Sequence, residues 1–150
     1  MDTYHYKTSG LDDVYLLNGF DVIEYGDEKA VSIHNIDDLH RVISLALVQQ
    51  KARLRGREFR FLRIEMDLSQ KGLGLWFDLT DQAIALWEKK NRVPPWADAI
   101  IRALYVESLG EDSEVRKVLE MLSKVDRAIH RGDICVEESD EGWMLKAAGC

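Results

Sequence analysis

The sequence predicts a mainly α protein with a small α+β unit at its N-terminus and a helix-turn-helix bundle at its centre. Three observations carry this expectation. Residues 4–33 carry short strand-like runs punctuated by Asn18-Gly19 and by Gly26-Asp27-Glu28. From Leu39 onward, apolar residues recur at three- and four-residue spacing, the period of a helix buried on one side. Between Phe59 and Asn91, two short helical patterns meet at a tight turn, and each opens on a hydroxyl that can cap it, Ser69 and Thr80.

The N-terminal unit is expected to span residues 1–50. Val14-Tyr15-Leu16-Leu17 and Phe20 to Tyr25 read as a hairpin through Asn18-Gly19, because Asn-Gly supplies the positive φ angles of a two-residue turn. A second turn at Gly26-Asp27-Glu28 leads to a strand, Ala30 to Ile33. A helix follows, capped by Asn35 or Asp37, with Leu39, Val42, Ile43, Ala46 and Leu47 on one face. A unit this small needs packing against the rest of the chain or a second copy. The polar, basic link Gln49 to Arg53 reads as a hinge.

The helix-turn-helix domain is expected over 51–110. Val93-Pro94-Pro95 ends one helix and starts the next, since proline suits a first helical turn. Trp96, Ile100, Leu104 and Tyr105 then read as an inward stripe. A C-terminal part, 111–150, is expected to break at Glu111 to Ser113 and to continue as an amphipathic helix over 114–129. That helix carries Val115, Val118, Leu119, Leu122, Val125 and Ile129. One short strand from Ile134 to Glu137 and a tail through Gly142-Trp143 complete the chain.

Composition narrows the function classes. Of 150 residues, 46% are apolar and 31% charged, enough for a core and for solubility. No apolar run approaches the roughly 20 residues that span a bilayer, and MDTYHYKTSG lacks the basic start and apolar stretch of a signal peptide. The two cysteines, Cys135 and Cys150, suggest no disulfide framework, so a cytoplasmic setting is expected. The net charge of −7 is unevenly spread. Residues 51–92 hold 10 Lys/Arg against 6 Asp/Glu, whereas 1–50 hold 3 against 9 and 93–150 hold 7 against 12. Phosphate contacts depend on local potential, because salt screens beyond about 8–10 Å.

Within the central segment, Phe59, Leu62 and Met66 give the first helix an apolar face. Ser69 caps the second helix and sets Gln70 and Lys71 at its N-terminus, where an amide beside free N–H groups suits a phosphate. Leu73 and Phe77 face inward, and Gly74 is small where crossing helices approach. Thr80 caps the third helix. Ile84 and Trp87 anchor it from beneath, Trp87 as a core residue rather than a ligand-binding one. Asp81, Gln82, Ala85, Leu86 and Lys89 are left facing outward, the positions that meet base edges when such a helix enters the major groove. Lys90 and Arg92 add cationic charge at its end. Each spacing taken singly also fits an ordinary helical bundle, in which the charged residues are a solvated face; the combined register selects the helix-turn-helix.

That register, Leu68-Ser69-Gln70, a cap at Thr80 and an ending Trp87-Glu88-Lys89, resembles the Cro/repressor-type (XRE) helix-turn-helix family over Leu54 to Tyr105. The resemblance implies a lambda-repressor-like bundle. The whole chain resembles the MqsA-type antitoxins and their relatives among bacterial regulators. Tyr4-His5-Tyr6, Gly10-Leu11-Asp12, Val31-Ser32-Ile33-His34, Leu39-His40-Arg41 and Gly142-Trp143 carry that outline. It implies a dimeric transcription regulator or antitoxin that represses its own operon, with operator DNA, a second copy and a toxin protein as partners. This sequence departs from the pattern in four ways. MqsA-type antitoxins hold an N-terminal zinc through paired cysteines, which are missing here, so neither zinc nor another cofactor is expected. Asp78 stands for the usual glycine between the helices, and Lys90 for the usual glycine after Trp-Glu-Lys. Gly72 and Gly74 lie inside the second helix, each costing about 1 kcal/mol relative to alanine. Asp81 is acidic and Leu86 apolar where polar or basic side chains usually read bases, and Trp76 reads as an exposed aromatic.

Other chemistry has little to rest on. His34 and His40 flank Asp37 and Asp38, but a metal site there lacks a further ligand. No nucleophile triad, phosphate loop or zinc-protease motif occurs, so no enzyme is expected. Glu137-Glu138-Ser139-Asp140-Glu141 reads as a solvated acidic run, or as a competitor for the basic face. The expected function is therefore operator-specific DNA binding as a dimer. The rival expectation is a protein-interaction module, toxin-neutralising or scaffolding, that keeps the fold and has lost DNA reading.

Overall fold

The computed structural model describes residues 3–110, 136–140 and 142–145. The described chain is mainly helical with a small β unit at its N-terminus. Strand β1 (Tyr4–His5) pairs antiparallel with β2 (Tyr15–Leu16), and β3 (Phe20–Tyr25) with β4 (Glu28–Ile33). Five helices follow: α1 (Ile36–Gln49), α2 (Gly56–Glu65), α3 (Gln70–Phe77), α4 (Asp81–Lys89) and α5 (Pro95–Ser108). A C-terminal pair, β5 (Val136–Ser139) and β6 (Gly142–Leu145), forms a hairpin where the sequence suggests one strand and a tail. The expected 114–129 helix, His130 and both cysteines lie outside the described residues. No described helix is long and apolar enough to cross a membrane.

The N-terminal pairing differs from the sequence expectation. Asn18-Gly19 joins two separate sheets rather than the two strands beside it, and Gly19, at φ +79°, accepts the His34 N–H at 2.9 Å. The hairpin turn is Gly26-Asp27 instead, closing the pair Tyr25 with Glu28. Returning β2 onto β1 brings Tyr6, Leu11 and Leu16 into the core, which a hairpin through Asn18-Gly19 would not require. Phe20 packs against Tyr4, their ring centroids 5.5 Å apart and their planes tilted by 39°.

One hydrophobic cluster runs from Tyr6 to Tyr105, so the β unit packs on the helices. Phe59, Leu62, Leu73, Ile84, Ala97 and Ile101 are fully buried at its centre. On α1 the buried positions are Ile43, Ser44 and Leu47, while Val42 and Ala46 face solvent. On α5 the buried stripe is Ala97, Ile101, Leu104 and Tyr105. Trp96 and Ile100, read as inward from sequence, are exposed one position out of phase.

The link between α1 and α2 is tied down rather than free. The Arg102 guanidinium donates to the carbonyls of Val48, Gln50 and Ala52, and Asp98 both pairs with it and accepts the Leu54 N–H at 2.8 Å. Glu58 closes the start of α2 by accepting the Arg55 N–H at 2.8 Å. Between the β unit and the helices, His40 bridges Tyr6 and Glu65, with 2.7 Å contacts to the Tyr6 hydroxyl and the Glu65 carboxylate.

Candidate functional site

The site is assembled where α3 turns into α4. Ser69 caps α3, its hydroxyl accepting the Gly72 N–H at 2.9 Å, and Thr80 caps α4 by accepting from Ala83. Asp78 ends α3 in the left-handed region at φ 53°, the conformation a glycine would take more cheaply. The Leu79 N–H closes the turn on Gly74 O at 2.9 Å. A Cβ on Gly74 would lie 2.6 Å from Leu79 O, so only glycine permits this approach. Lys90 is in the right-handed region, and the left-handed residue after α4 is Asn91, whose side-chain oxygen accepts the Arg57 N–H at 3.1 Å.

Behind α4 lies an ion pair that the sequence reading missed. The Arg63 guanidinium donates Nε to Glu88 Oε2 at 2.8 Å and Nη2 to Oε1 at 2.9 Å, and its Nη1 donates to Leu68 O. Both side chains are buried, at 9% and 5% exposure. A signal existed: Arg63 falls on the spacing of Phe59, Leu62 and Met66, and Glu88 follows Ile84 by one turn, so each sits on its helix's inner face. Gln70 also joins this network. Its Nε2 donates to Glu88 Oε1 at 3.2 Å, which directs the amide toward α4. Gly56 is a second unforeseen requirement, because a Cβ there would run into the backbone oxygens of Trp87 and Glu88.

With Ile84 and Glu88 turned inward, α4 presents Asp81, Gln82, Leu86 and Lys89 to solvent, with Ala85 half-buried among them. Ser69, Lys71 and Thr80 are exposed at the two helix starts, and Lys90 and Arg92 are exposed beyond the end of α4. Trp87 is half-buried in a ring cluster with Phe59, Phe77 and Trp96. Trp76 is half-buried too, rather than exposed.

The basic segment sorts itself in space. Arg55 pairs with Asp12 and Asp13, and Arg57 with Asp12 at 3.1 Å, so acids from the β unit neutralise them. The Arg55 guanidinium holds the Asp12 carboxyl below its ordinary range. Arg60 lies 3.9 Å from Glu88. Among the described residues, no ion pair holds Arg53, Lys89, Lys90 or Arg92. Like Lys51 and Arg53 on the link between α1 and α2, Lys89, Lys90 and Arg92 thus leave positive charge unpaired among the described residues, at the end of α4 and the loop after it.

That same end bounds a groove of about 290 Å³. Leu86, Trp87, Val93 and Pro94-Pro95 form its apolar wall, and Arg53, Lys90 and Arg92 stand around it. His34 and His40 do not share a site: His34 pairs with Asp21 at 2.6 Å, and His40 is taken by Tyr6 and Glu65. Among the described residues, no group of three or more His, Cys, Asp or Glu could hold a metal. Comparison with protein-family models, with curated proteins and with solved structures finds no match.

Proposed function

We propose that the chain is a sequence-specific, double-stranded-DNA-binding transcriptional regulator of the Cro/repressor type, acting as a homodimer that inserts α4 into the major groove. The observation that carries this reading is the two-sidedness of α4. Ile84 and Glu88 hold it from behind, while Gln82, Leu86 and Lys89 share the outward face. Its nine residues span roughly 13 Å, and a helix of about 10–12 Å diameter fits a groove about 12 Å wide. Gln82 is the residue suited to a base edge, adenine by preference, because an amide both donates and accepts. Leu86 offers contact to a thymine methyl, and Asp81 an acceptor for cytosine N4. Ser69, Lys71 and Thr80 meet phosphates at the helix starts, and Lys89, Lys90 and Arg92 supply salt-dependent affinity. Gln70 acts by fixing α3 to α4 through Glu88. Two copies would place their α4 helices about 34 Å apart on one face of the duplex. Regulation of its own operon, in the manner of an antitoxin, is the corresponding role.

A second reading is a toxin-binding or scaffolding module, favoured by the acidic Asp81 and by Leu86, which is 47% exposed. The two are separated by selecting duplexes from a random pool at about 50 mM salt and measuring binding by fluorescence anisotropy. Enrichment of a two-fold sequence, lost in Gln82→Ala and weakened across all sequences in Lys89→Ala, supports the regulator. Absence of any duplex binding at that salt overturns it in favour of the interaction module.

A further inference from the structure

We propose that the groove at the end of α4 is a binding site for a small amphipathic organic acid, an aromatic or short aliphatic body bearing one carboxylate. The groove joins two chemistries that neither a nucleic-acid backbone nor an inorganic ion needs together. Its wall is apolar, built from Leu86, Trp87, Val93 and the two prolines, with Val93 fully buried. Arg53, Lys90 and Arg92 also line it, through their apolar stems, which leaves their charged ends to its rim, and no carboxylate lines it. Like charges gather at such a place at an electrostatic cost that a bound anion relieves, and guanidinium groups match a carboxylate with paired donors. A phosphate or sulfate would satisfy the cations and leave the apolar wall wet. A neutral apolar molecule would cover the wall and gain nothing from the cations, which stay hydrated. The acid alone meets both demands.

Size favours a small molecule over a peptide. About 290 Å³ lies at the lower limit of ligand pockets, roughly 300–1,000 Å³, and admits a single ring or short chain rather than a folded segment. The groove also accounts for Leu86. Beyond a single thymine-methyl contact, a half-exposed leucine is the residue type expected for a ligand wall. Arg53 reaches the groove from the link ahead of α2, so the site is made by parts distant in sequence and forms only in the fold. The inference does not rest on DNA binding, since the groove is defined on the protein alone.

The test is a titration of the full chain, followed by tryptophan fluorescence and calorimetry, with indole-3-acetate, 4-phenylbutyrate and hexanoate. Each is paired with its primary amide, and inorganic phosphate serves as an anion without an apolar body. We expect saturable binding of at least one acid, at least about tenfold tighter than its amide, and a loss of about tenfold in Arg53→Gln and in Arg92→Gln. Both arginines are exposed, and an unchanged thermal midpoint in either variant shows that the fold is intact. Equal affinity for acid and amide, displacement by phosphate at equal concentration, indifference to both substitutions, or no saturation by any of the three acids would each overturn the proposal.

Discussion

Arg63 on α2 and Glu88 on α4 meet in a two-pronged ion pair, with contacts of 2.8 and 2.9 Å and both side chains buried. The pair sets the distance between the first helix of the bundle and the presented helix, and Gln70 ties α3 to the same carboxylate. Removing one member leaves the other charged and buried, a loss of about 3–5 kcal/mol. Arg63→Ala is therefore expected to lower the urea midpoint severely, the more so because Leu68 O also loses its donor. The double variant Arg63→Met with Glu88→Leu should recover most of that loss, because apolar side chains of similar volume need no counter-charge. A single-variant cost below about 1 kcal/mol would mean that the pair is solvated and does not organise the bundle.

The glycines of α3 differ sharply in what they do. Gly74→Ala drives a Cβ to 2.6 Å from the Leu79 backbone oxygen, so the turn into α4 must open. We expect a loss of about 2–3 kcal/mol in urea unfolding. At Gly72 the nearest neighbour is the Ser69 hydroxyl at 3.3 Å, an exposed side chain able to give way. There the gain in helix propensity, about 1 kcal/mol, opposes a strained cap, and Gly72→Ala should change stability by less than about 1 kcal/mol. Similar losses at both positions would show that helix propensity, not the close approach to Leu79, governs Gly74.

Much of this arrangement is legible in the sequence, and the failures have physical causes. Ser69, Thr80 and Ile84 declare themselves because capping and apolar spacing are local rules, and each holds in the structure. On α5, Trp96, Ala97, Ile100, Ile101, Leu104 and Tyr105 offer two apolar faces one residue apart. Only packing against α1 and α2 selects Ala97 and Ile101, which no local pattern encodes. Arg63 and Glu88 occupy inner-face positions, yet a charged residue is read as solvent-facing until its partner, 25 residues away, is known. The segmental charge of 51–92 misled in the same manner, since Asp12 and Asp13 neutralise Arg55 and Arg57 from the far end of the chain. Asn18-Gly19 does not form the expected turn: only Gly19 takes a positive φ, and the pair links two sheets, because burying Tyr6 and Leu16 favoured pairing β2 with β1.

Tyr6 provides a pH test of how the β unit is attached. Burial, then the nearby Glu65 carboxylate, then Tyr4 raise its hydroxyl above the ordinary value of 10.0. The native state thus favours the neutral phenol. Its contribution to stability is fully present below the unfolded value and is lost as pH rises through the native one. The urea midpoint of the wild type should fall from about pH 10 upward more steeply than that of Tyr6→Phe, which has no proton to lose. Parallel curves for the two proteins would remove Tyr6 from the account of alkaline stability.

Arg102 on α5 ties down the link between α1 and α2. Its guanidinium takes the carbonyls of Val48, Gln50 and Ala52 while Asp98 holds it in place, so three backbone oxygens at and beyond the end of α1 converge on one side chain, with Ala52 O also accepting from Gln50 Nε2. Lysine keeps the charge but, as a single ammonium, cannot span these acceptors in the plane of a guanidinium. In Arg102→Lys, hydrogen exchange at residues 50–54 is expected to accelerate at least about tenfold, corresponding to about 1.4 kcal/mol of lost local protection, while exchange within α3 and α4 stays unchanged. Arg102→Ala should add a global loss of about 1–3 kcal/mol, because Asp98 then loses its charged partner and the carbonyls their donor. Unaltered exchange at 50–54 in both variants would show that the link is held by the packing of Leu47 and Leu54 alone.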